Sequence, residues 1–321
     1  MKKIMTALVA LAALGSFASD VAEMAATELA AVVPGTIVRK SENGWLYSKN
    51  ELEHLAKGQL AGGGAAQASV CKKAANADPV EALADFSAAL KAEGIRLIVV
   101  PVPPKAAIQP WPGLAAGGAM TYLTPFYDEL RGRGVEVLDL APALLAGRDE
   151  NVYCRTDAHW SPAGIRLAAD AVAAAVGISG DGEYAVTPDA VEISGDLATS
   201  LDKTAPESEP VTLEKVSGKV FDDASPVLVI GDSHTLIFST GGDMLAENAG
   251  FCEQLAARLK MPVERIGVKG SAATAVRVNL YRKAAKDPAW LKGKKVVVYC
   301  FSCREFTEAV SGWAKVPILK K

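Results

Sequence analysis

The sequence predicts an α/β protein, a three-layer α/β/α sandwich in which helices cover both faces of a central, mainly parallel sheet. Runs such as "IRLIVVPV" (95–102) and "KKVVVYCF" (294–301) are continuously apolar and rich in β-branched residues, which is typical of strands buried on both faces. Five such runs alternate with segments of helical spacing. That alternation favours a parallel sheet between two layers of helices.

Local signals place each element along the chain. A helix is expected over 79–94, with Gly94 as the C-terminal signal. Another is expected over 161–177, where Ser161 can cap the N-terminus and Pro162 occupies the first helical position. The remaining expected elements are helices in the later part of 120–134 and over 244–260, and strands over 135–140, 226–231 and 263–268.

The composition is that of an ordinary globular chain. Half of the 321 residues are apolar, 22% are charged, and the formal net charge is −3. This balance gives no electrostatic basis for nucleic acid as a partner. We expect a single domain over 41–321, with a polar excursion at about 178–225.

The N-terminus predicts export. Two lysines precede a short apolar run that ends in small residues, so residues 1–18 are expected to be a signal peptide or, alternatively, an N-terminal membrane anchor. Residues 19–40 are expected to form a flexible connection. The expected location is the periplasm.

Export would allow the five cysteines to form disulfides. Cys300 and Cys303 form a C-x-x-C pair, which we interpret as a local disulfide or two packed thiols. A thioredoxin-like redox site is disfavoured because nothing else in the sequence is typical of that fold, and one pair does not make a zinc site. No cofactor and no metal are expected.

A possible catalytic set comes from two separate motifs. In "PVLVIGDSHT" (226–235), Ser233 follows a buried strand, at the end where parallel sheets bind ligands. A serine nucleophile needs an adjacent base oriented by a carboxylate, and Asp157 and His159 in one loop can supply both. The alternatives are that Gly-Asp-Ser only forms a turn, and that His159 only caps or packs against the following helix.

The other two histidines have different expected roles. His234 adjoins Ser233, so its side chain should diverge from the serine hydroxyl, and it is interpreted as a wall residue or substrate contact. His54 lies on a helical stretch remote from these motifs and is interpreted as structural.

Taken together, "GDSHT" and "RTDAHWSPAG" resemble the SGNH-hydrolase-like domain of the alginate O-acetyltransferase family, the AlgJ/AlgX type. "NGWLYSKNELEHL" (43–55), "VVPVPPKAAIQP" (99–110) and "FSCREF" (301–306) are similar to further family segments. The Asp-x-His pair precedes the serine, which is the family's permuted order and the reverse of common SGNH esterases. The resemblance covers about residues 40–310. Because the chain ends at Lys321, the AlgJ type without a carbohydrate-binding module is expected.

The resemblance implies an SGNH-hydrolase-like, flavodoxin-like fold and an O-acetyltransferase acting on an exported polysaccharide through an acetyl-serine. A membrane-bound O-acyltransferase would supply the acetyl group. An SGNH-type carbohydrate acetylesterase and a non-catalytic polysaccharide-binding or scaffold protein are the alternatives.

Four further residues have two interpretations each. Gly270 would help to form the oxyanion hole with the nucleophile's own N–H, or is only a turn glycine. Arg304 would contact the acetyl donor or a sugar carboxylate, or forms a salt bridge with a neighbouring acid. Trp160 would stack on a sugar or pack beneath the histidine loop. Lys105 follows a strand end and could face the cleft, but it is expected to be a solvated loop lysine.

Overall fold

A five-stranded parallel sheet forms the centre of the fold. The computed structural model describes residues 21–109, 120 and 122–320. Numbered along the described residues, the strands are β1 Val38–Lys40, β2 Leu46–Ser48, β3 Arg96–Val102, β4 Glu136–Val137, β5 Ala185–Ile193, β6 Glu209–Ser217, β7 Val227–Gly231, β8 Glu264–Gly267 and β9 Val296–Ser302. The central sheet has the order β4-β3-β9-β7-β8, with every neighbouring pair parallel. Every residue of β7 and β9 is buried, so the core surrounds the middle of this sheet.

Helices flank the sheet and connect its strands, which confirms the predicted fold class. They are α1 Lys49–Ala56, α2 Gly64–Ala68, α3 Pro79–Ala92, α4 Lys105–Ile108, α5 Leu123–Gly132, α6 Ala141–Ala146, α7 Pro162–Val176, α8 Asp196–Leu201, α9 Phe251–Leu259, α10 Ala275–Lys286, α11 Pro288–Lys292 and α12 Glu305–Glu308. Short 3₁₀ turns cover Ala74–Asn76, Arg148–Glu150, Ser233–Thr235 and Gly242–Met244. Within the part of the chain that the structure describes, no helix has both the length and the apolar character needed to cross a membrane.

Capping signals predicted helix ends well, whereas apolar periodicity alone did not. The side chain of Ser161 accepts a hydrogen bond from the backbone N–H of Gly164 at 3.2 Å, which begins α7 at the expected place. The helix expected over 244–260 is too long. Leu245 and Asn248 have φ angles of 70° and 64°, which a right-handed helix cannot contain, so only α9 is helical there.

The strand expected over 135–140 is also shorter than predicted. Only Glu136 and Val137 pair with β3, and β4 lies at one edge of the central sheet, with a neighbour on one side only.

The N-terminal segment expected to be flexible has regular structure in its described part. Residues 21–30 are helical, and β1 pairs antiparallel with β2. Val38 in β1 is fully buried against Leu46, so burial of apolar side chains orders this segment. The predicted signal peptide, residues 1–18, lies outside the described residues.

The region 178–225 contains an antiparallel pair of strands, β5 and β6, with α8 between them in the chain. We call residues 185–217 the excursion hairpin. Its α8 packs near β1 and β2, where Leu197 and Ala198 are buried with Val38. The excursion hairpin therefore packs against the N-terminal part of the domain.

All five cysteines are free thiols. Cys300 and Cys303 are both fully buried, and burial raises the pKa of each thiol well above 9. Of the two interpretations of the C-x-x-C pair, the structure shows packed thiols and no disulfide.

Candidate active site

Strand β7 delivers Ser233 to the carboxyl edge of the sheet. Its last residue is Gly231, which lies against β9. A Cβ at Gly231 would overlap the carbonyl oxygen of Cys300, so only glycine permits this approach of the two strands. The chain then turns at once, and Ser233 begins a 3₁₀ turn.

Asp232 fixes the turn that carries Ser233. One carboxylate oxygen accepts the backbone N–H of His234 at 2.9 Å, which is an N-cap interaction. The other accepts the backbone N–H of Ser302, at the end of β9, at 2.7 Å. These bonds give Asp232 the structural role that its position in the turn suggests.

The loop before α7 brings a carboxylate and an imidazole to the same edge. Tyr153 and Trp160 form an isolated antiparallel bridge, and the backbone N–H of Cys154 donates to the carbonyl oxygen of His159 at 3.1 Å. The loop is thus closed at its base, and Asp157 projects from its tip.

Asp157, His159 and Ser233 form a continuous chain of hydrogen bonds. The Nδ1 of His159 lies 2.6 Å from Oδ1 of Asp157, and its Nε2 lies 2.7 Å from Oγ of Ser233. An ionised carboxylate can only accept, so Nδ1 carries the proton and Nε2 accepts from the serine hydroxyl. The three residues are 2%, 6% and 8% exposed, which shields these bonds from water.

The electrostatics of the pair favour a basic imidazole. Burial by itself disfavours the charged form of His159, but the charge and the hydrogen bond of Asp157 outweigh it and raise the pKa of His159 above its usual 6.5. Burial acts to raise the pKa of Asp157, but the charge of His159 and its hydrogen bonds lower it overall. The site is therefore arranged to accept a proton on His159 and keep Asp157 ionised.

Comparison with known proteins agrees with this fold. Residues 38–290 match the family model described as "SGNH hydrolase-like domain, acetyltransferase AlgX". The chain belongs to this AlgX family. The predicted resemblance to the AlgJ/AlgX type is thereby confirmed.

Named relatives of this AlgX-family chain are proteins of the AlgJ and AlgX type. The probable alginate O-acetylase AlgJ of Pseudomonas syringae pv. tomato is 28% identical over 179 residues, which are 52% of this chain and 41% of that relative. This chain thus spans less than half the length of that protein. The O-acetyltransferase domain of Pseudomonas putida AlgJ has a TM-score of 0.63 at 20% identity, covering 84% of this chain and 92% of that one. The structure of Pseudomonas aeruginosa AlgX has a TM-score of 0.58 at 16% identity, and the match covers 83% of this chain and 62% of that one. Both structures share the fold.

His234 and Trp160 form a packed wall behind His159 in this AlgX-family protein. The His234 ring is buried, its Nδ1 lies 3.0 Å from Oδ1 of Asp232, and its centroid lies 4.8 Å from that of His159. Trp160 is 0% exposed and contacts His234 and Phe251, with centroids 5.3 and 5.4 Å away. Stacking of Trp160 on a sugar is therefore wrong, and packing beneath the histidine loop is correct.

His54, the third histidine, lies within the core. Its Nδ1 is 2.7 Å from the hydroxyl of Thr307 and its Nε2 is 2.9 Å from the hydroxyl of Tyr122. Burial lowers its pKa to about 3, so it is a neutral residue that links α1 to α12.

Arg304 is half-buried just after β9. Among the described residues its guanidinium has no ion pair or hydrogen bond, so the salt-bridge alternative is not found there. The adjacent Glu305 instead accepts hydrogen bonds from the Ser271 hydroxyl and, at 3.3 Å, from the backbone N–H of Ala273. The charge of Arg304 remains available to a ligand.

The structure favours the turn interpretation of Gly270. It is exposed, its φ is 83°, and a Cβ there would meet no atom within 4 Å. The left-handed backbone conformation is enough to explain why glycine occupies this position. The backbone N–H of Ser233 donates to none of the described residues, which leaves it available for an oxyanion.

Lys105 is not the solvated residue that the sequence suggested. It is 1% exposed and its ammonium donates to backbone carbonyls of the loop that carries Asp157 and His159. Sequence analysis also missed Gly195, Asp196 and Glu209 of the excursion hairpin, all of which contact that loop. The only sequence signal was the position of Lys105 after a strand end.

Asp157, His159 and Asp196 have ligand atoms within 4.8 Å of one another, a group that could hold a metal ion. Both oxygens of Asp157 and both ring nitrogens of His159 already have hydrogen-bond partners. A metal would have to displace the His159–Ser233 contact or the Asp157 bonds. The arrangement fits proton transfer better than metal ligation.

Proposed function

We propose that the protein is an O-acetyltransferase that transfers acetyl groups to an exported polysaccharide through an acetyl-Ser233 intermediate. The hydrogen-bonded chain of Asp157, His159 and Ser233 carries the proposal. Membership of a family described as acetyltransferase AlgX supports this reaction over others that use the same three groups.

In the first half-reaction, Oγ of Ser233 attacks the carbonyl carbon of an acetyl ester while His159 Nε2 takes the hydroxyl proton. The carbonyl oxygen becomes an oxyanion, and the free backbone N–H of Ser233 is one donor for it. When the tetrahedral intermediate collapses, the bond to the donor's oxygen breaks. That oxygen leaves with the proton from His159, and acetyl-Ser233 remains.

In the second half-reaction, a sugar hydroxyl replaces the donor. His159 takes its proton as the sugar oxygen attacks the acetyl carbon, and Ser233 leaves with that proton from His159. Asp157 stays ionised throughout and holds Nδ1–H, so that Nε2 always faces the reacting oxygen. Free enzyme and acetylated sugar result.

The family and Arg304 support a choice of acceptor and donor to test. The guanidinium of Arg304, half-buried and without an ion pair among the residues that the structure describes, suits a carboxylate of an anionic sugar or an oxygen of the donor. Because the relatives are named for alginate, alginate oligosaccharides are the first acceptors to test. A membrane-bound O-acyltransferase is the proposed source of acetyl groups, and the periplasm is the proposed location.

The test follows acetyl by intact-mass spectrometry after mixing purified protein with an activated acetyl ester. Wild type should gain one acetyl group, and Ser233→Ala should gain none. Ser87→Ala is the matched control, because Ser87 on α3 is also buried and donates a hydrogen bond, to the carbonyl oxygen of Gly134.

Acceptors then separate transfer from hydrolysis. Transfer of the acetyl group to oligosaccharide faster than to water supports the proposal. Release as acetate at a rate indifferent to every oligosaccharide would identify an esterase instead. Equal labelling of wild type and Ser233→Ala would remove Ser233 as the nucleophile.

A further inference from the structure

The loop that carries Asp157 is held from two sides by oppositely charged, buried side chains. Residues 154–159 form no helix and no regular strand. The bond from Cys154 N–H to the carbonyl oxygen of His159 closes the base of the loop, and side chains from other segments hold the residues between them. Lys105 contacts the loop from one side and Glu209 from the other.

Lys105 lies where three segments meet. Its ammonium donates to the carbonyl oxygens of Leu46 at 2.6 Å, Arg155 at 3.2 Å and Asp157 at 2.8 Å. It also lies over the ring of Trp45, 5.3 Å from the centroid. Three carbonyl acceptors use all three protons of an ammonium group, so the side chain is fully engaged in joining β2 to the loop.

Glu209, at the start of β6, satisfies the N–H side of the same loop. One carboxylate oxygen accepts from the backbone N–H and the hydroxyl of Thr156, both at 2.6 Å. The other accepts from the backbone N–H of Arg155 at 2.8 Å. Glu209 is 9% exposed, so these charge-assisted bonds are shielded from water.

The first turn of α8 completes the enclosure. The backbone N–H of Asp196 donates to Oδ2 of Asp157 at 2.9 Å, the oxygen that His159 does not use. In return, a carboxylate oxygen of Asp196 accepts from the backbone N–H of Ala158 at 2.8 Å. The carboxylate of Asp157 is therefore fixed in rotation as well as in position.

We propose that Lys105 and Glu209 are positioning residues that preorganise Asp157, and through it His159, for acetyl transfer. The inference rests on the proposed function. Neither side chain touches a reacting atom. Each instead fixes backbone within two residues of Asp157, so its loss moves the carboxylate that orients His159. A misplacement of about 1 Å in such a group lowers turnover by about 10²-fold.

The test compares Lys105→Met with Lys294→Met. Lys294 is a matched control because it is also buried and donates to two carbonyls, those of Asp223 and Ser225, each at 2.7 Å. Those acceptors precede β7, at the opposite edge of the sheet from Ser233. Glu209→Gln is a second variant that keeps the side-chain shape and replaces one accepting oxygen with a donor.

Acetyl transfer and a spectroscopic signal are measured on variants that melt cooperatively. Lys105→Met and Glu209→Gln should lower kcat by about 10²-fold with little change in KM. The downfield proton resonance of His159 Nδ1–H should shift or broaden in both. Lys294→Met should lose stability but keep the wild-type kcat and resonance.

The outcomes separate this inference from the proposed function. Wild-type kcat and an unchanged Nδ1–H resonance in folded Lys105→Met and Glu209→Gln would overturn the positioning role while Ser233→Ala remains inactive. If Lys105→Met does not fold, Glu209→Gln decides by the same two measurements. If Ser233→Ala retains full transfer, the proposed function fails first, and the Nδ1–H resonance still reports whether the loop is held.

Discussion

The Nε2 of His159 lies 2.7 Å from Oγ of Ser233, although 74 positions separate the two residues in the chain. His159 belongs to a loop before α7, and Ser233 belongs to the turn after β7. The contact is thus a product of the tertiary fold, and its chemistry depends on the ionisation of one imidazole.

Acetylation should depend on pH through His159. The base must be neutral, and Asp157 raises the pKa of His159 above 6.5, so kcat/KM for an activated acetyl ester should be low in acid and rise through a pKa above 6.5. Asp157→Asn removes the charge that raises this pKa. It should shift the rise to lower pH and reduce kcat by about 10⁴-fold.

An unshifted profile in Asp157→Asn would show that another group controls the titration. His234 is the alternative, because its ring contacts that of His159. The same profile recorded for His234→Gln separates the two.

Gly195→Ala should displace the loop of the candidate active site by steric overlap, without removing any group that takes part in the reaction. Gly195 precedes α8, and a Cβ there would overlap the Cβ of Asp157 and lie 2.6 Å from its Cα. The fold must shift the loop, at a cost of about 1–3 kcal/mol in unfolding free energy, and kcat should fall by about 10²-fold. Chemical denaturation and steady-state kinetics measure the two effects.

Gly132→Ala is the control for this substitution. Gly132 ends α5 and is exposed, and a Cβ added there would meet no atom within 4 Å. The variant should gain about 0.5–1 kcal/mol of stability and keep full activity. An active Gly195→Ala would mean that the loop tolerates displacement.

Trp160→Phe should leave the KM for every oligosaccharide acceptor unchanged. Trp160 is fully buried behind His234, so it cannot contact a sugar. Its loss should instead appear in stability, with Trp160→Ala costing about 3–5 kcal/mol. A raised acceptor KM in Trp160→Phe with an unchanged melting temperature would contradict the packing role.

Glu305→Gln should weaken the dependence of stability on pH. Burial raises the pKa of Glu305 from its usual 4.5 to about 7, so the folded state binds this proton more tightly than the unfolded state. Ionisation of Glu305 should therefore cost the wild type up to about 3 kcal/mol of unfolding free energy as pH rises from 4.5 through 7. Glu305→Gln should not show this loss.

Glu42→Gln is the control, because Glu42 is exposed. Its unfolding free energy should vary with pH as that of the wild type does. Urea unfolding at intervals from pH 4 to pH 8 would measure all three proteins. Parallel curves for wild type and Glu305→Gln would show that Glu305 ionises freely in the folded state.

The sequence predicted those features whose signals are local. Ser161 and Pro162 mark the start of α7 because capping depends on a few adjacent residues. The five apolar runs predicted the sheet, and Asp157, His159 and Ser233 stood out because their spacing and their place beside buried elements are visible in the chain.

Features set by distant backbone could not be predicted. Lys105 appeared to be a surface residue because its three acceptors lie 50 to 59 positions away, and nothing near it in the chain indicates burial. Glu209 lies in a polar excursion, and its partners in the loop that carries Asp157 are more than 50 positions distant.

The strand order has a consequence for how the molecule forms. β9 lies between β3 and β7, so the last strand in the chain is the central one, and the two halves of the sheet have no shared edge until it is in place. A chain that emerges N-terminus first must therefore keep the exposed edges of β3 and β7 from other partners. Synthesis must pass Ser302 before the sheet can close.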